Sequence, residues 1–395
     1  MVRLMESHTA SPTRYAFAGM VAMAVAMGIG RFVYTPILPG MMEGLGLSAS
    51  DAGSIASANY LGYLVGAIAA AFGWAHRRER TMMLTGLVAN AVLAAAMAFT
   101  TSLTAFLLIR FAAGVASAFV LVFSVTIVFS HLAAAGRNDL QALHFGGVGL
   151  GIALSALLVG SLHMAGAGWA AGWIGAGVLS LVGYLLVAPL IHEGPLAAGN
   201  GSREPRLPRS MALAKIIVAY GIFGFGYIIT ATFLVAIVRQ GDGGPFFEAV
   251  VWLVTGLAGF PSVYLWQPVA ARLGGMKTFA LGCLVEGIGV VASVKLGGYA
   301  GPLIGGILLG GTFIALTTIG LVAGRTLAAQ SPRRVLAVMT AFFGTGQIIG
   351  PIVAGFLADR TGSFTAPSIG AAVALLMCAL IALSVGDTAD PRRQH

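Results

Sequence analysis

The 395-residue sequence predicts an all-α integral membrane protein with twelve transmembrane helices in two pseudo-symmetric six-helix halves. Three observations carry this expectation. The chain is 58% hydrophobic and only 9% charged, whereas a soluble domain carries about 25% charged residues. Its apolar residues fall into twelve runs, each close to the roughly 20 residues that span a bilayer core. Its cations concentrate in alternate connections between those runs. A soluble enzyme, a disulfide scaffold and a single-anchor receptor are excluded by the same numbers. Glycine, at 56 residues, is about twice its usual frequency and suits helices that approach closely in lipid.

The runs predict helices over about 15–40, 50–73, 81–99, 103–132, 139–164 and 169–191, then 212–238, 247–271, 276–296, 300–324, 335–358 and 364–386. A polar stretch with Gly-Asn-Gly-Ser, Arg203, Arg206 and Arg209 separates the two sets of six and reads as a linker. The expected organisation is an N-terminal segment 1–14, a first half 15–191, a linker 192–211, a second half 212–386 and a tail 387–395. With the N-terminus in the cytoplasm, 17 cations lie inside and three (Arg239, Lys295 and Arg360) outside. The positive-inside rule therefore places both termini in the cytoplasm. The first run is too long for a signal-peptide core and is expected to be retained. Arg-rich, Ala-rich and Gly-rich usage points to a bacterial source, and so to the inner membrane.

The halves repeat. Gly28-Ile-Gly30-Arg31 recurs as Gly224-Phe-Gly226-Tyr227, 196 residues on, and Phe145-Gly146 recurs as Phe343-Gly344, 198 residues on. Parallel six-helix repeats are a transporter plan with the solute held between them near the midplane. Cys283 and Cys378 lie in apolar runs and read as buried small hydrophobes, neither disulfide nor metal ligands.

Further motifs are more specific. The stretch from Gly28 through Arg31, Tyr34, Thr35, Pro36, Leu38 and Pro39, followed by Asn59-Tyr60, Gly62-Tyr63, Gly66 and Ala67, resembles the opening signature of the YbfB/YjiJ-type branch of the major facilitator superfamily. Arg110-Phe-Ala-Ala-Gly114 is similar to that superfamily's Arg-x-x-x-Gly pattern. Gly346-Gln347, Gly350-Pro351, Gly355 and Asp359-Arg360-Thr-Gly362 resemble its Gly-Pro helix and following turn. The resemblance implies alternating access between two halves, with Gly66, Gly73, Arg77, Gly114, Gly350, Pro351, Asp359 and Arg360 in gating or structural roles. Two departures stand out. Ala70 occupies the place of the loop aspartate, and the fifth span carries Gly147, Gly149 and Gly151 with no proline.

Polar residues inside spans mark the candidate site. A charge at mid-membrane costs roughly 2.5 to 3.5 kcal/mol on insertion scales, so Arg31 and Arg110 need partners or a ligand. Both lie about seven residues from the outer ends of their spans, near 10 Å deep at about 1.5 Å per residue. Asn59 shares that depth, and Tyr34 sits one turn from Arg31. A guanidinium fork matches a carboxylate, so the pair points to an anionic solute; the competing reading is that each arginine caps backbone carbonyls freed by nearby glycines. The substrate-binding candidates are Arg31, Tyr34, Asn59, Tyr63, Arg110, Tyr227 and Gln347. Glu286, the deeply placed acid, and His144 are the proton-coupling candidates, each with a plain packing alternative. No nucleophile elbow, phosphate loop or His-Glu-x-x-His pair appears, so no enzyme activity, cofactor or metal is expected. Arg77-Arg78 reads as an anionic-lipid and topology cluster, without nucleic acid. The expected partners are a small-molecule solute and the lipid bilayer, with the chain a monomer. The reading is a secondary transporter of a small organic solute, more anionic than not. Its rivals are an efflux carrier for hydrophobic or cationic compounds and a non-transporting sensor on the same fold.

Overall fold

The computed structural model describes residues 11–72, 74–195, 204–241 and 243–385. Gly73, linker residues 196–203, Asp242 and the two ends of the chain, with Arg3, Arg203, Arg392 and Arg393, lie outside the described residues. Thirteen α-helices follow in order: α1 Pro12–Met23, α2 Tyr34–Leu45, α3 Ala49–Ala71, α4 Glu79–Ala96, α5 Leu103–Ala134, α6 Gln141–Met164, α7 Trp169–Val187, α8 Met211–Arg239, α9 Gly244–Leu273, α10 Gly275–Lys295, α11 Ala300–Leu327, α12 Pro332–Thr361 and α13 Thr365–Leu383. Among the described residues, α1 and α2 together form one span and the other eleven helices supply one each, so twelve segments are long and apolar enough to cross a membrane. The described chain contains no strand. Side chains such as Leu108, Val178, Leu185 and Ile288 stand exposed on the outer faces, where lipid replaces water as their neighbour.

The first span departs from the single helix expected over 15–40. It runs from Pro12 to Leu45, passes through a π-helical turn at Ala24–Ile29, and breaks before α2. Two features explain the break. Pro36 has no N–H to offer the carbonyl one turn back, and the missing side chains at Gly28 and Gly30 let the Gly151 backbone of α6 and the Asn90 side chain of α4 press in. On the face opposite the termini, α2 ends on Gly46 with φ 63°, a left-handed turn that glycine adopts without strain.

Glycines set the closest crossings. A methyl on Gly114 of α5 would overlap the Asn59 carbonyl of α3, and one on Gly310 of α11 would overlap the Thr255 carbonyl of α9. The members of these pairs are each displaced by 196 residues, so the internal repeat extends to backbone contacts that sequence matching missed. Between the halves, α3 meets α12 where Gly53 abuts the Pro351 carbonyl, and α6 meets α9 where Gly149 abuts Phe260. Small-residue crossings of this kind let backbones approach closely, which favours helix association in lipid through packing.

Gly114→Ala is expected to destabilise the protein by about 1 to 3 kcal/mol through overpacking. Gly370, whose added methyl would meet nothing within 4 Å, serves as the control. Thermal unfolding in detergent should show a lowered midpoint for Gly114→Ala and none for Gly370→Ala.

Candidate functional site

The break in the first span exposes backbone carbonyls that no helix hydrogen bond reaches, and Arg110 of α5 takes two of them. Its Nη1 donates to the Gly30 carbonyl at 2.9 Å and its Nη2 to the Arg31 carbonyl at 3.1 Å. The guanidinium lies 5.2 Å from the Tyr34 ring centre and 5.6 Å from that of Trp173. Asn59 donates through Nδ2 to the Arg110 carbonyl at 3.0 Å, and Tyr34 donates through its hydroxyl to the Ala52 carbonyl at 2.9 Å. The structure places Arg110, Asn59 and Tyr34 together, and the hydrogen bonds that they donate go to backbone carbonyls.

Arg31 is placed differently. It is 2% exposed, and its Nε and Nη2 have no hydrogen-bond partner. Its guanidinium sits over the Tyr60 ring at 4.5 Å, the Tyr63 ring at 4.8 Å and the Phe32 ring at 5.6 Å. Each cation–π contact is worth about 0.5 to 2 kcal/mol, so the rings offset much of the insertion cost while leaving hydrogen-bond donors free.

The second half closes on this chamber with neutral groups. Tyr60 shares a 3.2 Å hydrogen bond with Thr232 of α8, and Phe32 meets Phe313 of α11 edge-on at 5.7 Å. Phe313 stacks on Tyr227, which stacks in turn on Phe343 of α12. Gln347 donates from Nε2 to the Tyr227 hydroxyl, while its Oε1 and the Thr230 hydroxyl have no partner. Tyr227, the repeat counterpart of Arg31, therefore lies near the same chamber.

The two coupling candidates sit in other surroundings. Glu286 is buried in α10 and accepts from Thr312 of α11 at 2.9 Å, with its second oxygen unpartnered. One turn earlier Cys283 lies 3.5 Å from Cys378 as a free thiol. His144 of α6 is packed edge-on between Phe129 and Phe145, each at 5.3 Å, with neither ring nitrogen bonded. The structure brings neither residue into hydrogen-bond contact with Arg31.

The face opposite the termini is latched across the halves. Asp359, at the end of α12, accepts from the backbone N–H groups of Ala49 at 2.8 Å and Ser50 at 2.9 Å, the first turn of α3. A carboxylate at a helix N-terminus satisfies orphan donors and meets the favourable end of the dipole. Ser48 and Asp51 form the capping box of the same helix. Arg239 of α8 pairs twice with Glu248 of α9 and reaches across to Glu43 at 2.8 Å and His163 at 3.4 Å. Beside that cluster lies a cavity of about 350 Å³, lined by Ile37, Gly40, Val159, Trp169 and Gly172 together with Glu43, His163 and Arg239.

The remaining motif residues have structural contacts. Gly66 abuts Val115 and Ala118 of α5, Gly350 abuts Ile228 of α8, and Arg360 lies 4.2 Å from the Phe356 ring. Arg77 is exposed with φ 62° in the loop after α3. Sequence reasoning missed the Arg239 cluster, although opposite charges at the ends of spans were its visible sign. It also missed Arg14 and Arg80, whose guanidiniums cap carbonyls at 188–191 just past α7.

Three comparisons bear on this architecture. The model of a family described as "Uncharacterised MFS-type transporter YbfB" matches residues 23–383. A search of curated proteins finds no match. Among solved structures, a variant of the nucleoside transporter NupG superposes with a TM-score of 0.74 at 14% identity, covering 94% of this chain and 99% of that one. A bacterial homologue of the human lysosomal transporter Spinster, inward-facing and occupied, gives a TM-score of 0.72 at 13% identity over 96% and 98%. Its unoccupied form gives 0.65 at 12% identity over 96% of each. Identities this low show a shared fold.

The latch generates a test. Ile37 is 2% exposed beneath it, and both native cysteines are buried. With Ile37→Cys as reporter, adding Arg239→Gln or Asp359→Asn is expected to raise maleimide labelling about tenfold, because each change removes a charge-assisted contact of roughly 1.5 to 3 kcal/mol. Unchanged labelling in both proteins would show that these contacts do not hold the face shut.

Proposed function

The chain belongs to the YbfB-type family of major facilitator transporters, and from that premise we propose that it is a secondary active transporter of a small organic anion, working by alternating access around Arg31. One observation carries the choice of an anion: a buried guanidinium caged by three aromatic rings, with Nε and Nη2 unpartnered. A carboxylate supplies two acceptors in the geometry that a guanidinium edge presents. Tyr63 from the first half and Tyr227 and Gln347 from the second complete the proposed contact set. Arg110, Asn59 and Tyr34 support it from behind. A cationic cargo would be repelled by Arg31, which argues against the efflux of cations.

The bilayer in question is the bacterial inner membrane, with both termini cytoplasmic. Seventeen cations on the terminal side against three on the other support that orientation. The latched face is then external. A membrane potential contributes about 2.3 kcal/mol per charge per 100 mV, so import of an anion needs a co-transported cation or an exchanged anion, whereas export does not. Glu286, bonded to Thr312 within the second half, serves as a structural acid in this reading.

Two experiments follow. Purified protein heated with benzoate, succinate, gluconate, glucose or tetraphenylphosphonium should be stabilised by carboxylates, since a ligand that binds only the folded state raises the midpoint. That shift should vanish in Arg31→Ala, together with flux in proteoliposomes. Stabilisation by the phosphonium alone, or normal flux through Arg31→Ala, would refute the reading. For coupling, Glu286→Gln is expected to keep most flux driven by an imposed pH gradient, because an amide replaces a protonated acid as partner to Thr312. Selective loss of gradient-driven flux would place the coupling site at Glu286.

A further inference from the structure

The two parts of the first span differ in what holds them. Around α1 and the π-helical turn, Gly28 lies against the Gly151 backbone and the Met20 carbonyl against Gly147, both on α6 of the same half. By contrast α2 is held from both halves: Tyr34 donates to the Ala52 carbonyl of α3 and Trp173 of α7 donates to the Met41 sulfur, while Thr35 donates to the Ala231 carbonyl of α8 at 2.6 Å and Glu43 pairs with Arg239. Arg31 stands at the joint between these parts. Two carbonyls freed at that joint, those of Gly30 and Arg31, are held by the one guanidinium of Arg110.

A single planar fork bonded to consecutive carbonyls fixes the direction of the peptide between them. That peptide carries the Arg31 side chain. The fork is itself held from outside, by the Tyr34 and Trp173 rings and by the hydrogen bond from Asn59 to the Arg110 backbone. Arg110 is 1% exposed, and its terminal nitrogens are occupied where those of Arg31 are not all so.

We propose that Arg110 is a positioning residue that keeps the first span broken at residues 30–33 and thereby aims Arg31 into the aromatic chamber, leaving Arg31 as the cation that meets the solute. The proposal rests on the reading of Arg31 as the solute site and assigns Arg110 to a different task from its neighbour.

Hydrogen–deuterium exchange on the full-length protein in lipid nanodiscs reads the joint directly, without knowledge of the solute. Peptides covering 24–36 and 104–120 are compared in wild type, Arg110→Met, Arg110→Lys and Arg31→Met. Loss of both carbonyl bonds in Arg110→Met is expected to speed exchange at 30–35 by about tenfold or more, because local opening follows the hydrogen bonds that oppose it. Arg110→Lys, which offers one point of charge in place of a fork, should give a smaller change confined to 24–36. Arg31→Met should leave the joint as in wild type. Wild-type exchange at 30–35 in Arg110→Met overturns the proposal. So does a change in Arg110→Lys that spreads into 104–120, which marks a general structural role. If the joint responds as expected while Arg31→Ala transports normally, the positioning by Arg110 stands and the reading of Arg31 as the solute site falls.

Discussion

A guanidinium inside a lipid-embedded bundle must be given partners, and so must every carbonyl released where a membrane helix breaks. The first half of this protein meets both demands at one place. The break between the π-helical turn and α2 frees carbonyls, and Arg110 supplies donors to two of them. Two costs that would each destabilise the bundle alone cancel when they are set together. Arg31, on the same joint, is left with ring faces and unused donors. The division of labour between two buried arginines follows from which of them has a broken helix within reach.

The second constraint is distance. Partners can reach across the bundle only where backbones approach closely, and the glycine crossings permit that. Gly114 lets α5 lie against the Asn59 carbonyl, which brings Arg110 within reach of the first span. The equivalent crossing in the second half, Gly310 against Thr255, has no arginine to position, and the chamber on that side is lined with Tyr227, Thr230 and Gln347. The halves share a scaffold and differ in charge. One side of the proposed site thus carries a cation while the other carries neutral hydrogen-bonding groups and stacked rings.

The third constraint is that the halves must separate for alternating access. Their contacts on the face opposite the termini suit this, because they are few in kind and breakable: a carboxylate on a helix start, an arginine between two acids, and glycine seams. Water can take the place of each partner, so opening this latch costs only a few charge-assisted contacts of roughly 1.5 to 3 kcal/mol each.

Twelve spans, their division into two sets of six and the family were all legible in the sequence, because hydrophobic run length and charge are local properties of consecutive residues. The two arginines were legible as unusual for the same reason: a charge in an apolar run is visible without a fold. Which arginine is tied to backbone was decided by tertiary structure, since the answer depends on a break in one helix lying beside another helix 79 residues away. The motif residue Asp359 likewise showed its partner only in three dimensions, 309 residues away at Ser50. Arg239 was counted in the sequence as a cation for topology, and only folding set it beside Glu43, Glu248 and His163. Span composition follows from transfer energies that each residue carries with it, whereas pairing depends on the rotation and depth of helices, which are set by the packing of all twelve.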